Sequence, residues 1–147
     1  MIVDETNLSI IRQLRDGRKS YSEIARELSI TENTVRSRVR KLEEEGVFSI
    51  AGLVEPCSIH NHIIAYVGVK LKTMNLVKKG EEISKLKGVV SVAVVTGRYD
   101  LIMVLMLNEK FGLLEFYTKE MSKVAEVLSV ETFVTYDSFN LKVPYIL

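Results

Sequence analysis

The chain has 147 residues, 47% of them apolar and 27% charged, which leaves room for two small cores and excludes a disordered tail. Its net charge is only +1, which excludes a generally basic surface, so any nucleic-acid footprint must be local. No uninterrupted apolar run approaches the roughly 20 residues of a membrane helix.

The first helical segment can be capped by Asp4 or Thr6 and carries Leu8, Ile10, Ile11 and Leu14 on an apolar face. It ends at Asp16-Gly17. Ser20, with Glu23 three residues on, is a capping box; it opens a second helix whose buried face is Ile24, Ala25 and Leu28. Ser29-Ile30-Thr31 is a three-residue turn, and Thr31 caps a third helix running to Gly46, a natural C-terminal stop. Residues 47–54 suit a strand, and the polar stretch 55–61 around Pro56 suits a hinge.

Past the hinge the periodicity changes. His62–Lys72 alternates and is rich in β-branched residues, hence a strand. Leu76, Gly80, Ile83 and Lys87 share a helix face, and Gly88 leads into a strand over Val89–Thr96. A turn at 97–99 passes to the strand Leu101–Leu107. A long helix with Leu114, Tyr117, Met121, Val124 and Leu128 on one stripe follows, then a last strand over Val130–Tyr136. The order β-α-β-β-α-β is the ferredoxin-like arrangement, whose helices cover one sheet face and leave the other free to pair with a second subunit. The expected architecture is α+β: a winged helix-turn-helix over 1–54, a hinge over 55–61 and a ferredoxin-like domain over 62–147.

Two helices joined by a short turn, the second one basic, form the helix-turn-helix pattern. At about 100° per residue, Val35, Val39 and Leu42 fall on one side of the third helix. Asn33, Arg36, Ser37 and Arg40 fall on the other, where Asn can pair with adenine and Arg with guanine. Thr34 and Lys41 lie at the edge, where phosphate contacts are expected, and the capping Thr31 is a further DNA-binding candidate. Arg38 flanks the core side and suits a phosphate or an intramolecular ion pair. A solvated helix with pairs such as Arg40–Glu44 and Lys41–Glu45 is the competing reading; the three-helix context and the short turn favour DNA.

The run from Thr34 to Phe48, with Ser22-Glu23-Ile24-Ala25-Arg26-Glu27-Leu28 ahead of it, resembles the helix-turn-helix of the leucine-responsive regulator (Lrp/AsnC) family. Gly97-Arg98-Tyr99-Asp100-Leu101 resembles that family's Gly-x-Tyr-Asp turn. The resemblance covers nearly the whole chain. It implies a transcriptional regulator that binds double-stranded promoter DNA, forms dimers that often assemble into octamers, and responds to a small molecule such as an amino acid. Effector contacts are implied at Thr96, Gly97, Arg98, Tyr99 and Asp100. Thr6 and Asn7 depart from the family's usual apolar residue and Asp, and the hinge around Cys57–Asn61 is not a close match.

Each effector position also has a plainer role: Gly97 supplying a positive φ, Arg98 solvated, Tyr99 packed at a subunit interface, Asp100 bonding turn amides. His60 and His62 share a strand face, but a metal would need Cys57 or Glu55 as well, and solvated hinge histidines are the better reading. No metal or cofactor is expected. Cys57, the only cysteine, and a start lacking a signal-peptide pattern fit the cytoplasm. No catalytic motif stands out, so a non-enzyme is expected. Two alternatives stay open: an enzyme similar to siroheme decarboxylases, which share this architecture, and an effector-independent architectural DNA binder.

Overall fold

The computed structural model describes residues 3–147; the first two residues of the expected DNA-binding domain lie outside them. The chain divides between Ala51 and Gly52 into two compact units.

The N-terminal unit is three helices, α1 (Glu5–Gln13), α2 (Tyr21–Glu27) and α3 (Glu32–Glu44). Each begins where a short polar side chain satisfies free amides. The Asp4 carboxylate accepts from the Asn7 amide at 2.7 Å, Ser20 and Glu23 form the reciprocal capping box, and Thr31 Oγ1 accepts from the Thr34 amide at 3.1 Å. Ile10, Leu14, Ile24, Ala25, Val35 and Val39 make the core, with Tyr21, Leu28, Ile30 and Phe48 packed against it. Helix α2 ends in a Schellman motif, Ile30 N–H donating to Ala25 O at 3.0 Å, with Ser29 at φ 54°.

Among the described residues no wing forms. Residues 47–52 carry no strand; the Val47 amide instead closes a second Schellman motif on Leu42 O at 2.9 Å, and Gly46 takes the left-handed position at φ 67°. A strand needs a partner, and the expected run yields only β1 (Leu53–Val54), paired with β6 (Val143–Pro144) of the C-terminal unit. The stretch read as a hinge begins with a 3₁₀ turn, Pro56–Ser58.

In the C-terminal unit β2 (His62–Leu71), β3 (Val89–Val94), β4 (Leu101–Asn108) and β5 (Val127–Val134) form one antiparallel sheet in the order β3-β4-β2-β5. That order, with α4 (Leu76–Ser84) between β2 and β3 and a helical segment between β4 and β5, is the ferredoxin-like topology. Alternation places Ala65, Val67, Val69, Leu101, Met103 and Leu105 on the face where Ile83, Phe116 and Met121 complete the main core. On the opposite face Ile64 and Met106 are covered by Val143.

The second helical segment departs from expectation. It begins as α5 (Leu113–Glu115), becomes π-helical over Phe116–Glu120 and ends as a 3₁₀ turn at Met121–Lys123. Val124 is extended, Glu126 has φ 66°, and Leu128 lies on β5, 58% exposed. The β-branched run from Val127 pairs with β2, and that pairing stops the helix before the apolar stripe is complete. Leu114, also read as core-facing, is 72% exposed.

Candidate functional sites

Helix α3 separates its chemistry by face. Val35, Val39 and Leu42 are buried, whereas Asn33, Arg36, Ser37, Arg40 and Lys41 are exposed. Arg36 lies over the Tyr21 ring, 5.4 Å from its centroid, and pairs with Glu32 at 2.6 Å. Arg40 meets Glu44 at 3.6 Å and Lys41 meets Glu45 at 4.0 Å. These are exposed pairs, worth about 0.2–1 kcal/mol, less than the roughly 1–3 kcal/mol of discrimination that a bidentate arginine–base contact supplies. Such pairs are weak enough to give way to a stronger partner. Thr31 and Thr34 sit at the N-terminal end of α3, their hydroxyls 2.8 Å apart.

Arg38 is turned away from this face. Its guanidinium donates to Asp4 at 2.6 Å and to Asn7 Oδ1 at 2.9 Å, so it braces α3 against α1. Of the two roles its position allowed, the geometry favours the ion pair. The Arg38 guanidinium, followed by the Asn7 amide, holds the Asp4 carboxyl below its usual range. Asn7 is only 8% exposed, which accounts for an amide on the packed side of α1.

The second site is the β3–β4 connection. Val95 N–H donates to Asp100 O at 3.0 Å, closing a loop of Thr96, Gly97, Arg98 and Tyr99. Gly97 has φ 118° and open space around it, so the glycine answers to backbone conformation and not to crowding. Tyr99 lies flat over Gly68 of β2, where an added Cβ would come within 2.7 Å of the ring. Its hydroxyl donates to the Glu131 carboxylate, and that bond, followed by burial, raises the phenol's pKa. Arg98 pairs with the same carboxylate at 3.0 Å. Asp100 accepts from the Leu71 amide at 2.8 Å and from Lys70 at 2.8 Å. The amide first, then the lysine, lowers its pKa, and both its oxygens are engaged. Beside the loop, Lys70, Arg98, Tyr99, Ser129, Val130 and Glu131 line a depression of about 310 Å³.

A basic helix-turn-helix face and a small polar depression thus occur on separate units of one chain. Residues 3–43 match the AsnC-type helix-turn-helix domain, and residues 64–142 match the Lrp/AsnC ligand binding domain. The chain belongs to the Lrp/AsnC family. It is a transcriptional regulator with a DNA-binding helix-turn-helix and a ligand-binding domain. A Pyrococcus horikoshii HTH-type transcriptional regulator is 35% identical over 132 residues, covering 88% of this chain and 84% of the relative. One from Methanocaldococcus jannaschii is 29% identical over 128 residues, 86% of each. Among solved folds, Escherichia coli AsnC superposes with a TM-score of 0.66 at 20% identity, covering 94% of this chain and 95% of that one. A Neisseria meningitidis regulator solved as an L-Met complex gives 0.68 at 18%, covering 95% and 94%.

In this Lrp/AsnC regulator the sequence-predicted positions divide between the two sites. Asn33, Arg36, Ser37 and Arg40 share the open face of α3, with Thr31, Thr34 and Lys41 at its margins. Arg98 and Tyr99 line the depression; Gly97 and Thr96 shape the loop beside it, and Asp100 anchors the loop to β2. Sequence reasoning missed Lys70, Ser129 and Glu131. They are opposed across the β2–β5 ladder, Lys70 to Ser129 and Gly68 to Glu131, a register the sequence does not spell out. His60 and His62 lie away from the depression: His62 Nδ1 is 2.9 Å from His60 O and its Nε2 is 3.2 Å from the Tyr145 hydroxyl. Cys57 Sγ rests 3.2 Å from Ser138 Oγ. Among the described residues, no helix is long and apolar enough to cross a membrane.

Proposed function

We propose that this regulator reads promoter DNA with Asn33, Arg36, Ser37 and Arg40 in the major groove, flanked by phosphate contacts from Thr31, Thr34 and Lys41. A free amino acid, held beside Thr96–Asp100, modulates that binding. The segregation of α3 carries the reading: its buried stripe fixes the helix, and the exposed polar residues oppose that stripe at the basic, N-terminal end that enters a groove. The depression supports the effector part. Its volume is at the small end of the roughly 300–1,000 Å³ of ligand pockets. Arg98 can take a carboxylate and Glu131 an ammonium group, so a zwitterion would replace the internal Arg98–Glu131 pair with one contact of each sign. The apolar outer sheet face supports a homodimer, which would present two α3 helices to successive major grooves.

The test is fluorescence anisotropy with a duplex carrying the gene's own upstream region and a random duplex as control. Wild type should prefer the upstream duplex, and Arg36→Ala with Arg40→Ala should reduce that preference to the random level while the melting temperature holds. A double variant that keeps the preference would remove these residues from the reading face. Adding pooled amino acids should shift the wild-type isotherm; no shift, with none for the melting temperature either, would leave an effector-independent binder.

A further inference from the structure

The charge of the helix-turn-helix unit is balanced where the reading residues are and unbalanced in the turn before α2. Every cation of α3 has a carboxylate partner: Arg36 with Glu32, Arg38 with Asp4, Arg40 with Glu44 and Lys41 with Glu45. The turn between α1 and α2 is different. Residues 12–19 hold three arginines and one lysine against the single Asp16. Lys19 is paired with Glu27 at 2.6 Å, but Arg12, Arg15 and Arg18 are exposed and form no ion pair among the described residues. Asp16 accepts the Arg18 amide at 3.1 Å, and Glu23 is occupied by Ser20 in the capping box. The three arginines and Lys19 surround one open concavity of about 610 Å³.

We infer that Arg12, Arg15 and Arg18 form a second DNA contact, a phosphate-binding surface that extends the footprint beyond α3 along the backbone. This rests on the DNA-reading assignment above and adds a region to it. Two observations choose DNA over another polyanion. The turn leads directly into Tyr21, whose ring carries the Arg36 guanidinium, so the cluster adjoins the reading face within one compact unit. Three guanidinium groups, each able to take two phosphate oxygens, also match the spaced charges of a duplex backbone, and the cluster leads into the N-terminus of α2, the first helix of the helix-turn-helix, which crosses the backbone in docking.

The experiment is a salt titration of duplex binding by Arg12→Gln/Arg15→Gln/Arg18→Gln, alongside wild type and the corresponding triple lysine variant, using the upstream and random duplexes. Removing one phosphate contact should flatten the slope of log K against log salt by about 0.9, so the glutamine variant should flatten it by about 2 to 3 for each subunit seated on the duplex. The preference for the upstream duplex should be unchanged, because phosphates carry no sequence information. The lysine variant should recover most of the slope. A glutamine variant with wild-type slope and affinity would overturn the inference while leaving the α3 assignment standing, and would point to an acidic protein partner instead. A wild type that binds neither duplex would overturn both.

Discussion

At position 68 an extended strand lacks a side chain, and the ring of Tyr99 takes the vacated space. Glycine normally weakens a strand interior, so its use here points to the ring and not to the backbone. The same ring meets Phe133 edge-on at 6.5 Å and lies 5.5 Å from the Arg98 guanidinium, so its position sets that of the loop. Gly68→Ala should displace Tyr99 and destabilise the chain by about 1–3 kcal/mol, the usual cost of overpacking. In a Tyr99→Ala background the same change should be neutral or favourable. Urea denaturation of the four proteins in the cycle measures the coupling; additive effects would mean that the ring does not depend on the missing Cβ. Asp100 belongs to the same arrangement. Its bonds to Leu71 N and Lys70 on β2 make it the anchor of the loop, a role neither of the two sequence readings named, and under the proposed function Glu131 would be the carboxylate that takes an ammonium group.

For individual elements, legibility followed how local the deciding forces are. The three N-caps and the α3 stripe were readable because a side chain three residues from an amide, or a period near 3.6, is written within a few positions. The wing was not: Val47–Val54 has strand composition, but its leading amide closes the α3 Schellman motif and only its last two residues find a partner strand, β6, some ninety positions along. The helix expected to run through Leu128 stopped early for the same reason, since β5 answers to β2. The depression was half legible. The loop residues carry a motif, whereas Lys70, Ser129 and Glu131 are brought to it by register alone. The helix-turn-helix turn itself holds a local tension that offers a test. Ser29 is exposed and left-handed at φ 54°, a conformation costing an L residue about 1–2 kcal/mol. Glycine avoids that cost but loses more chain entropy, so Ser29→Gly should stabilise the chain by about 0.5–1 kcal/mol in urea denaturation. A loss of stability would mean that the turn is not left-handed at this residue.

Scale matters most for the sheet, because one of its faces is only partly used by the chain itself. The inner face is closed by α4 and the α5 segment. The outer face is covered around Ile64 and Met106, but Tyr66 at 36%, Ile102 at 37% and Phe133 at 49% stay exposed. Register draws them together, since Tyr66 opposes Phe133, and Gly68 opposes Ile102. An apolar group of this kind on the open face of a two-layer domain is best buried by an equivalent face of a second copy, which makes the contact isologous and closed. The depression borders it through Tyr99, so under the proposed function ligand and subunit contact would share a side chain, and a ligand with different affinity for two arrangements of the pair would alter DNA binding by that differential alone. Ile102→Glu with Phe133→Glu should therefore convert the species seen by light scattering from a dimer, or a multiple of one, to a monomer. The melting temperature should lose its dependence on protein concentration. DNA affinity should fall although no DNA-facing residue has changed, because a second half-site no longer binds at high effective concentration. If mass and affinity both stay at wild-type values, the subunits pair through another surface, and the exposed group around Tyr66 has no part in assembly.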